Sequence, residues 1–297
     1  MGRWVALDIG RFRIACFPLS SELTPASTRG SRAYTGVVAT TTPTLVRLHR
    51  GYVRVTGPEA TDFLERMVSN EVASLELGEG RQALLLTPKS RIVAPLRVVH
   101  EGPQAFLLIT EVELAETVAS TLLRARFAAR CEVSVEAWSG FLHFADPGAG
   151  VRNDDYGVEA WETWGAEQPD APDAEELEAL RIEAGTPRWG KELDETILPA
   201  EAGLDETHVS FTKGCYPGQE PIARLHYRGR PNRRLHVLEV TEAEPGDEIT
   251  YEGKVVGRIT SAVADRALGY VRREVPDDAA LIIGGQEARL HFASPRP

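Results

Sequence analysis

Residues 211–234 read FTKGCYPGQEPIARLHYRGRPNRR and form the most informative stretch of this 297-residue chain. The stretch sets Lys213 and five arginines against a single acid, Glu220, in a chain whose net charge is −11. A cation two residues before Cys215, and a helix beginning near Pro217, would both favour the reactive thiolate form of Cys215. The alternative is the common fate of a free cysteine, a small buried hydrophobic residue. Both interpretations stay open.

The basic run in this stretch also has two interpretations. Charge runs are usually solvated loops, and this one would then only connect two parts of the fold. As a functional patch it could bind a carboxylate tail, a phosphate or RNA. Tyr216 and Tyr227 are its only tyrosines, so an RNA contact based on base stacking is a weak prediction.

The amino-acid composition indicates an ordinary folded globular protein. The chain is 42% hydrophobic and 26% charged, close to the globular average, and its length allows one large domain or two. Its longest apolar runs are far shorter than the roughly 20 residues of a membrane-spanning helix. The negative charge disfavours general DNA binding. Cys16, Cys131 and Cys215 are too far apart for a disulfide framework or a metal knuckle, so we expect a cytoplasmic protein.

The first part of the chain differs from the rest. Before Val53 there are seven arginines but only two acids, Asp8 and Glu22. We predict a basic, disordered or loosely docked extension over residues 1–43, with an upstream start in the gene model and a transit peptide as alternatives.

Hydrophobic periodicity predicts an order of β-α-βββ-α-β between Val53 and Glu136. Residues 146–173, rich in Pro, Gly, Asp and Trp, are predicted to be mostly exposed loop. A helix is predicted over residues 173–184, with Gly185 as its stop. The short, evenly spaced strands after Arg234 predict a small antiparallel barrel.

Glu183 is the second candidate site residue. A carboxylate can accept from the adjacent NH and NH2 groups of a fused-ring amino-amide edge. The alternative is a surface glutamate paired with Arg181 or Lys191. The histidines lack zinc spacing, and no phosphate-binding or dinucleotide-binding loop is present, so no metal site is predicted. One motif cysteine cannot by itself hold an iron–sulfur cluster, which needs about four thiolate ligands.

The segment KGCYPGQE (213–220) resembles the signature KGCYxGQE of the YgfZ family, folate-binding relatives of the aminomethyltransferase of the glycine cleavage system. Three further segments support the resemblance: VTGPEATDFLERMVSNEV (55–72), LRIEAGTPRWGKELDETILPAEAGL (180–204) and VGRITSAVADRALGYVRRE (256–274). The resemblance therefore covers the chain from about Val53 to its C-terminus and leaves the basic extension unexplained.

The resemblance implies an α+β fold: an aminomethyltransferase-like folate-binding body of two intertwined ferredoxin-like halves (residues 44–234) and a small C-terminal antiparallel β-barrel (235–297). It also implies a tetrahydrofolate site and a role in iron–sulfur cluster assembly or maintenance, and thereby in tRNA modification. The partners would be folate, iron–sulfur client proteins or assembly machinery, and weakly tRNA. The site residues that follow from it are Lys213 and Cys215 as the functional pair, Glu183 for the pterin, Tyr216 and Gln219 from the motif, and Arg224 and Arg228 for the anionic tail of the folate.

One departure weakens the enzyme interpretation. Aminomethyltransferases carry an aspartate on the strand after the first hairpin, whereas this chain has RIVAPLRVV (91–99), with Ala94 and Pro95 at that place. No evident general acid or base is left for aminomethyl transfer. A folate-dependent one-carbon transferase remains the alternative function, and a salt-sensitive tRNA contact by the basic segment is a third.

Overall fold

The computed structural model describes residues 8–9, 12–13, 45–167 and 169–291, except for the side chains of residues 8, 9, 12, 13, 175 and 176. The chain divides after Thr44 into two units. In the first unit, β1 (Asp8–Ile9) pairs antiparallel with β2 (Phe12–Arg13). The rest of the predicted extension over residues 1–43 lies outside the described residues, as does Cys16.

A five-stranded antiparallel sheet forms the first layer of the second unit, in the order β5-β6-β7-β4-β8. Its elements are β4 (Arg50–Thr56), α1 (Ala60–Met67), β5 (Gly80–Leu86), β6 (Ile92–Gly102), β7 (Ala105–Glu111), α2 (Ala115–Ala125) and β8 (Glu132–Glu136). Both helices bury apolar residues at helical spacing against the sheet, Phe63 and Leu64 from α1 and Val118 and Leu122 from α2. The predicted order β-α-βββ-α-β is confirmed.

A four-stranded sheet in the order β10-β11-β9-β3 forms the second layer. Its strands are β3 (Leu45–Leu48), β9 (Ser139–His143), β10 (Val151–Arg152) and β11 (Trp161–Gly165). The chain contributes β3 here, builds the whole first sheet, and then returns with β9, so the two halves are intertwined. Residues 146–173 are mostly loop, as predicted, but they also contain the short strands β10 and β11. These strands pair with each other, and β11 also pairs with β9. Strands this short leave too little alternation for the sequence to predict them.

Two short helices complete the body. Residues Ala174–Leu177 form a 3₁₀ turn that leads into α3 (Glu178–Glu183), so the α-helix itself is shorter than predicted. Gly185 follows with a φ of 69°, the left-handed stop that its position predicts. The second helix, α4 (Gln219–Arg228), begins two residues after the predicted Pro217.

The C-terminal strands close into a six-stranded antiparallel barrel in the order β12-β15-β14-β13-β16-β17. They are β12 (Arg233–Glu239), β13 (Glu248–Tyr251), β14 (Lys254–Val263), β15 (Arg266–Arg272), β16 (Leu281–Ile283) and β17 (Gln286–His291). Fully buried aliphatic side chains such as Ile249 and Leu281 fill its interior. Closure leaves no free sheet edge, and the predicted barrel is confirmed. No helix in the described residues is long and apolar enough to cross a membrane.

Candidate functional site

The loop that carries Cys215 is fixed on the β5–β6 hairpin turn. Gly218 has a φ of 83°, and a Cβ at this position would lie 2.6 Å from the carbonyl oxygen of Thr87. The Ser90 hydroxyl donates to the carbonyl oxygen of Gly218 over 2.6 Å. A glycine is required both for the left-handed backbone and for the close approach.

Lys213 anchors the same loop to the end of α1. Its ammonium group donates to the carbonyl oxygens of Val68 (3.0 Å) and Asn70 (2.7 Å) and lies 3.2 Å from a Glu65 carboxylate oxygen. Burial lowers the pKa of Lys213, and Glu65 opposes that change. The side chain is 1% exposed, so its charge is engaged by the body of the protein.

The other motif residues differ in accessibility. Cys215 is exposed, whereas Cys131 is buried in the first sheet's core. Tyr216 is buried in the cluster beneath α4; burial raises its pKa to about 12, and its hydroxyl has no hydrogen-bond partner within the described residues. Gln219 is the first residue of α4. The Cys215 thiol is therefore accessible on a loop that hydrogen bonds hold in place.

Glu183 lies against the barrel. Its carboxylate contacts Arg266 at 2.9 Å and His291 at 3.8 Å, and its side chain is half exposed. The alternative prediction of a pair with Arg181 or Lys191 is wrong, because those cations bind Glu178 one turn earlier. Glu183 does not line the central cavity.

A cavity opens between the two sheets and α3, and encloses about 1010 Å³ including its mouth. It is lined by residues of β4, β6, β7, α3 and the loops around residues 155 and 186. Its charged side chains include four arginines, Arg50, Arg97, Arg181 and Arg188, and four carboxylates, Glu111, Asp155, Glu162 and Glu178. None of the site residues predicted from the sequence lines the cavity, and Arg224 and Arg228 instead border a separate groove on α4.

Arg50 organises one side of the cavity. Its guanidinium lies 2.8 Å from Asp155, 3.5 Å from Glu162 and 3.7 Å from Glu111. Burial disfavours the charge on Arg50, but the three carboxylates outweigh it and raise the pKa of the guanidinium. Glu162 is fully buried; one of its oxygens accepts from Asn153 over 2.7 Å and the other accepts no hydrogen bond.

Glu178 organises the opposite wall. Arg181 donates to both of its carboxylate oxygens, at 2.7 and 2.9 Å, and Lys191 donates to one over 2.7 Å. Burial opposes ionisation of Glu178, but these hydrogen bonds outweigh it and lower its pKa to about 2. Glu178 therefore stays ionised and well satisfied.

Glu111 is the cavity carboxylate that accepts no hydrogen bond on either oxygen within the described residues. Asp155, Glu162 and Glu178 each accept at least one hydrogen bond, whereas the ion pair of Glu111 is with Arg50 at 3.7 Å. Its side chain is 13% exposed, and burial raises its pKa. A carboxyl of this kind can accept from a ligand, or exchange a proton with one.

Sequence reasoning missed these residues for a definable reason. Arg50 is the first residue of β4 and Glu111 is the last residue of β7, and charged side chains are common at the ends of strands. Glu162 lies in a segment predicted to be loop. The one available signal was an acid in an otherwise apolar strand, which Glu111 at the end of AFLLITE provides. Within residues 45–167 and 169–291, no three His, Cys, Asp or Glu side chains are placed to hold a metal ion.

The fold is of the aminomethyltransferase-like α+β class, with a C-terminal barrel of the CAF17 type. Residues 232–296 match the family model described as CAF17, C-terminal beta-barrel domain. The fold is similar to that of the glycine cleavage system aminomethyltransferase T from Bartonella henselae, with a TM-score of 0.72, 20% identity and 84% of each chain covered.

Sequence relatives agree with this class. A putative chloroplastic transferase of Arabidopsis thaliana is 25% identical over 80% of this chain and 67% of its own length. An uncharacterized protein of Haemophilus influenzae is 25% identical, over 71% of this chain and 81% of its own. An aminomethyltransferase of Corynebacterium jeikeium is 21% identical over 75% of each chain.

Proposed function

We propose that this chain is a YgfZ-like, folate-binding cytoplasmic factor that supports iron–sulfur cluster assembly or maintenance and thereby tRNA modification. The observation that carries the folate part is the open cavity of an aminomethyltransferase-like body, in which Glu111 has free acceptor capacity. The signature KGCYPGQE and the CAF17-type barrel support the iron–sulfur part.

The residues of the cavity fit tetrahydrofolate. The amino-amide edge of a pterin presents two adjacent donors, and Glu111 is the carboxylate whose oxygens are free to accept them. The buried hydroxyl of Thr186, which has no hydrogen-bond partner within the described residues, adds a polar group to the cavity lining. Arg188, with its side chain 47% exposed at the cavity, would face the glutamate carboxylates of the tail.

Cys215 would act apart from the cavity. It is exposed on a loop that Lys213 and Gly218 hold in place, and it does not line the cavity. We propose that its thiolate provides one ligand or one exchange partner for a cluster, with the remaining ligands coming from a client protein or a small thiol. Lys213 is then a positioning residue, because it fixes the loop through the carbonyl groups of Val68 and Asn70, just after α1.

The test is calorimetric titration of tetrahydrofolate into the wild type, Glu111→Gln, Glu183→Gln and Cys215→Ser. Losing a charged hydrogen bond costs about 1.5–3 kcal/mol, so we expect Glu111→Gln to bind about 10- to 100-fold more weakly. Glu183→Gln is the matched control on the barrel side and should bind within about twofold of wild type, as should Cys215→Ser.

Three outcomes would contradict the folate assignment in different ways. No heat of binding in the wild type would remove it altogether. Loss of binding in Glu183→Gln but not in Glu111→Gln would show that the pterin binds on the barrel side of α3. Loss of binding in Cys215→Ser would show that the thiol is part of the folate site.

A folate-dependent one-carbon transferase is the second candidate, and Glu111 is the observation that favours it. Thr110, the residue before it, donates its hydroxyl to the carbonyl oxygen of Pro95 over 2.8 Å, where the related enzymes carry an aspartate. Glu111 can therefore place a carboxyl near that position from the neighbouring strand. This function requires release of ammonia from an aminomethyl donor with tetrahydrofolate, lost in Glu111→Gln and kept in Cys215→Ser.

A further inference from the structure

A groove of about 650 Å³, including its mouth, lies between α4 and the turn that contains Pro199. Its floor is aliphatic and includes Leu198, Pro199, Ile222 and Leu225. Two arginines one helical turn apart on α4, Arg224 and Arg228, border it. The groove is separate from the central cavity, and none of these residues lines that cavity.

The two arginines are free to bind an anion. Both are exposed, and within the described residues neither forms an ion pair, even with Glu220 one turn before Arg224. Arg230, two residues after Arg228, is also exposed.

The floor decides between kinds of anionic partner. Nucleic-acid bases are held by stacking on aromatic rings, but this floor is made of Leu, Pro and Ile side chains. Aliphatic floors accept aliphatic side chains, and guanidinium groups at helical spacing bind carboxylates as pairs. We propose that this groove binds an acidic peptide segment of a partner protein, with an aliphatic residue on the floor and two carboxylates on Arg224 and Arg228.

The groove is connected to the loop that carries Cys215. Ser90 lines the groove, holds a φ of 61°, and donates its hydroxyl to the carbonyl oxygen of Gly218. Helix α4, which carries both arginines, begins at the next residue, Gln219. A peptide in the groove is therefore held against the same rigid turn that seats the cysteine loop, which suits a partner that must present a group to the thiol.

The test uses a random 12-residue peptide library displayed on phage, selected on the full chain and counter-selected on Arg224→Glu/Arg228→Glu. We expect a consensus with two acidic residues near one aliphatic residue. The selected peptides are then synthesised and their binding is measured by fluorescence anisotropy. They should bind the double variant at least 10-fold more weakly than wild type. Leu225→Ser should also weaken binding, because it removes part of the floor.

The matched control is Arg66→Glu/Arg124→Glu, two exposed arginines in the last turns of α1 and α2. It makes the same change in net charge and should bind the selected peptides as wild type does. A basic or aromatic consensus, or equal binding to both double variants, would overturn the proposal. So would a 12-nucleotide single-stranded RNA that binds more tightly than the peptides, because the surface would then be an RNA contact.

Discussion

At the scale of single residues, burial and pairing decide which carboxylate has which role. Glu178 is saturated by Arg181 and Lys191 and remains ionised, whereas Glu111 lies 3.7 Å from Arg50 without a hydrogen bond. Both are glutamates in one cavity, so their chemistry differs only through their neighbours. The first is suited to support the wall, and the second is suited to meet a ligand.

Glu178 should therefore stabilise the fold in a pH-dependent way. Its folded pKa of about 2 lies below the ordinary 4.5, so its contribution is complete above pH 4.5 and is lost as the pH falls toward 2. We expect Glu178→Gln to lower the free energy of unfolding by about 2–3 kcal/mol at pH 7. The deficit should shrink by about 1 kcal/mol at pH 3.5, as measured by urea unfolding.

Glu183→Gln is the control for that series. Its carboxylate is half exposed and meets Arg266 in solvent, where such pairs contribute about 0–1 kcal/mol. A deficit in Glu178→Gln that stays constant from pH 7 to 3.5 would mean that its role is packing and not charge.

At the scale of elements, the cysteine loop and helix α4 are positioned by one glycine. Gly218 caps α4 in a left-handed conformation and presses its backbone against the turn at Thr87 and Ser90. The helix, the loop and the hairpin turn therefore all come together at this one residue. Any side chain at this position must move at least one of them.

Gly218→Ala should accordingly destabilise the protein by about 2 kcal/mol or more, because it adds left-handed strain and a clash at 2.6 Å. Gly214→Ala, four residues earlier in the same loop, is the control: a Cβ there has nothing within 4 Å. That variant should stay within about 0.5 kcal/mol of wild type in urea unfolding. Equal effects of the two substitutions would contradict the docking geometry.

At the scale of the whole second unit, a buried ionic network joins the body to the barrel. Arg181 of α3 lies 2.9 Å from Glu192 and donates to the hydroxyl of Ser261 on β14, which in turn donates to Glu192 over 2.6 Å. The Tyr270 hydroxyl also donates to the carbonyl oxygen of Glu192. Because Arg181 also lines the cavity, this network connects the cavity wall directly to the barrel.

Breaking one side of this network should be costly. Arg181→Met leaves Glu192 charged, buried and without its guanidinium, which costs about 3–5 kcal/mol. The double variant Arg181→Met/Glu192→Met should regain at least half of that loss, since no buried charge is left unpaired. Chemical unfolding of the two variants and the wild type measures the difference.

Arg266→Met is the comparison for this prediction. It removes a partly exposed arginine–glutamate contact between β15 of the barrel and Glu183 of α3, and should cost about 1 kcal/mol or less. If the double variant is no more stable than Arg181→Met, the network acts through shape and not through charge.

The amino-acid sequence alone determined the order of elements from β4 to β8, the barrel, and the presence of the motif KGCYPGQE at residues 213–220. These follow from local signals: apolar spacing, turn residues and a short motif. Only the tertiary structure decided that Glu183 pairs with Arg266 of the barrel, that Lys213 binds the carbonyl groups just after α1, and that Glu111 pairs with Arg50. Such facts depend on contacts between residues tens of positions apart, and a burial or an ion pair exists only once the chain has brought both partners together.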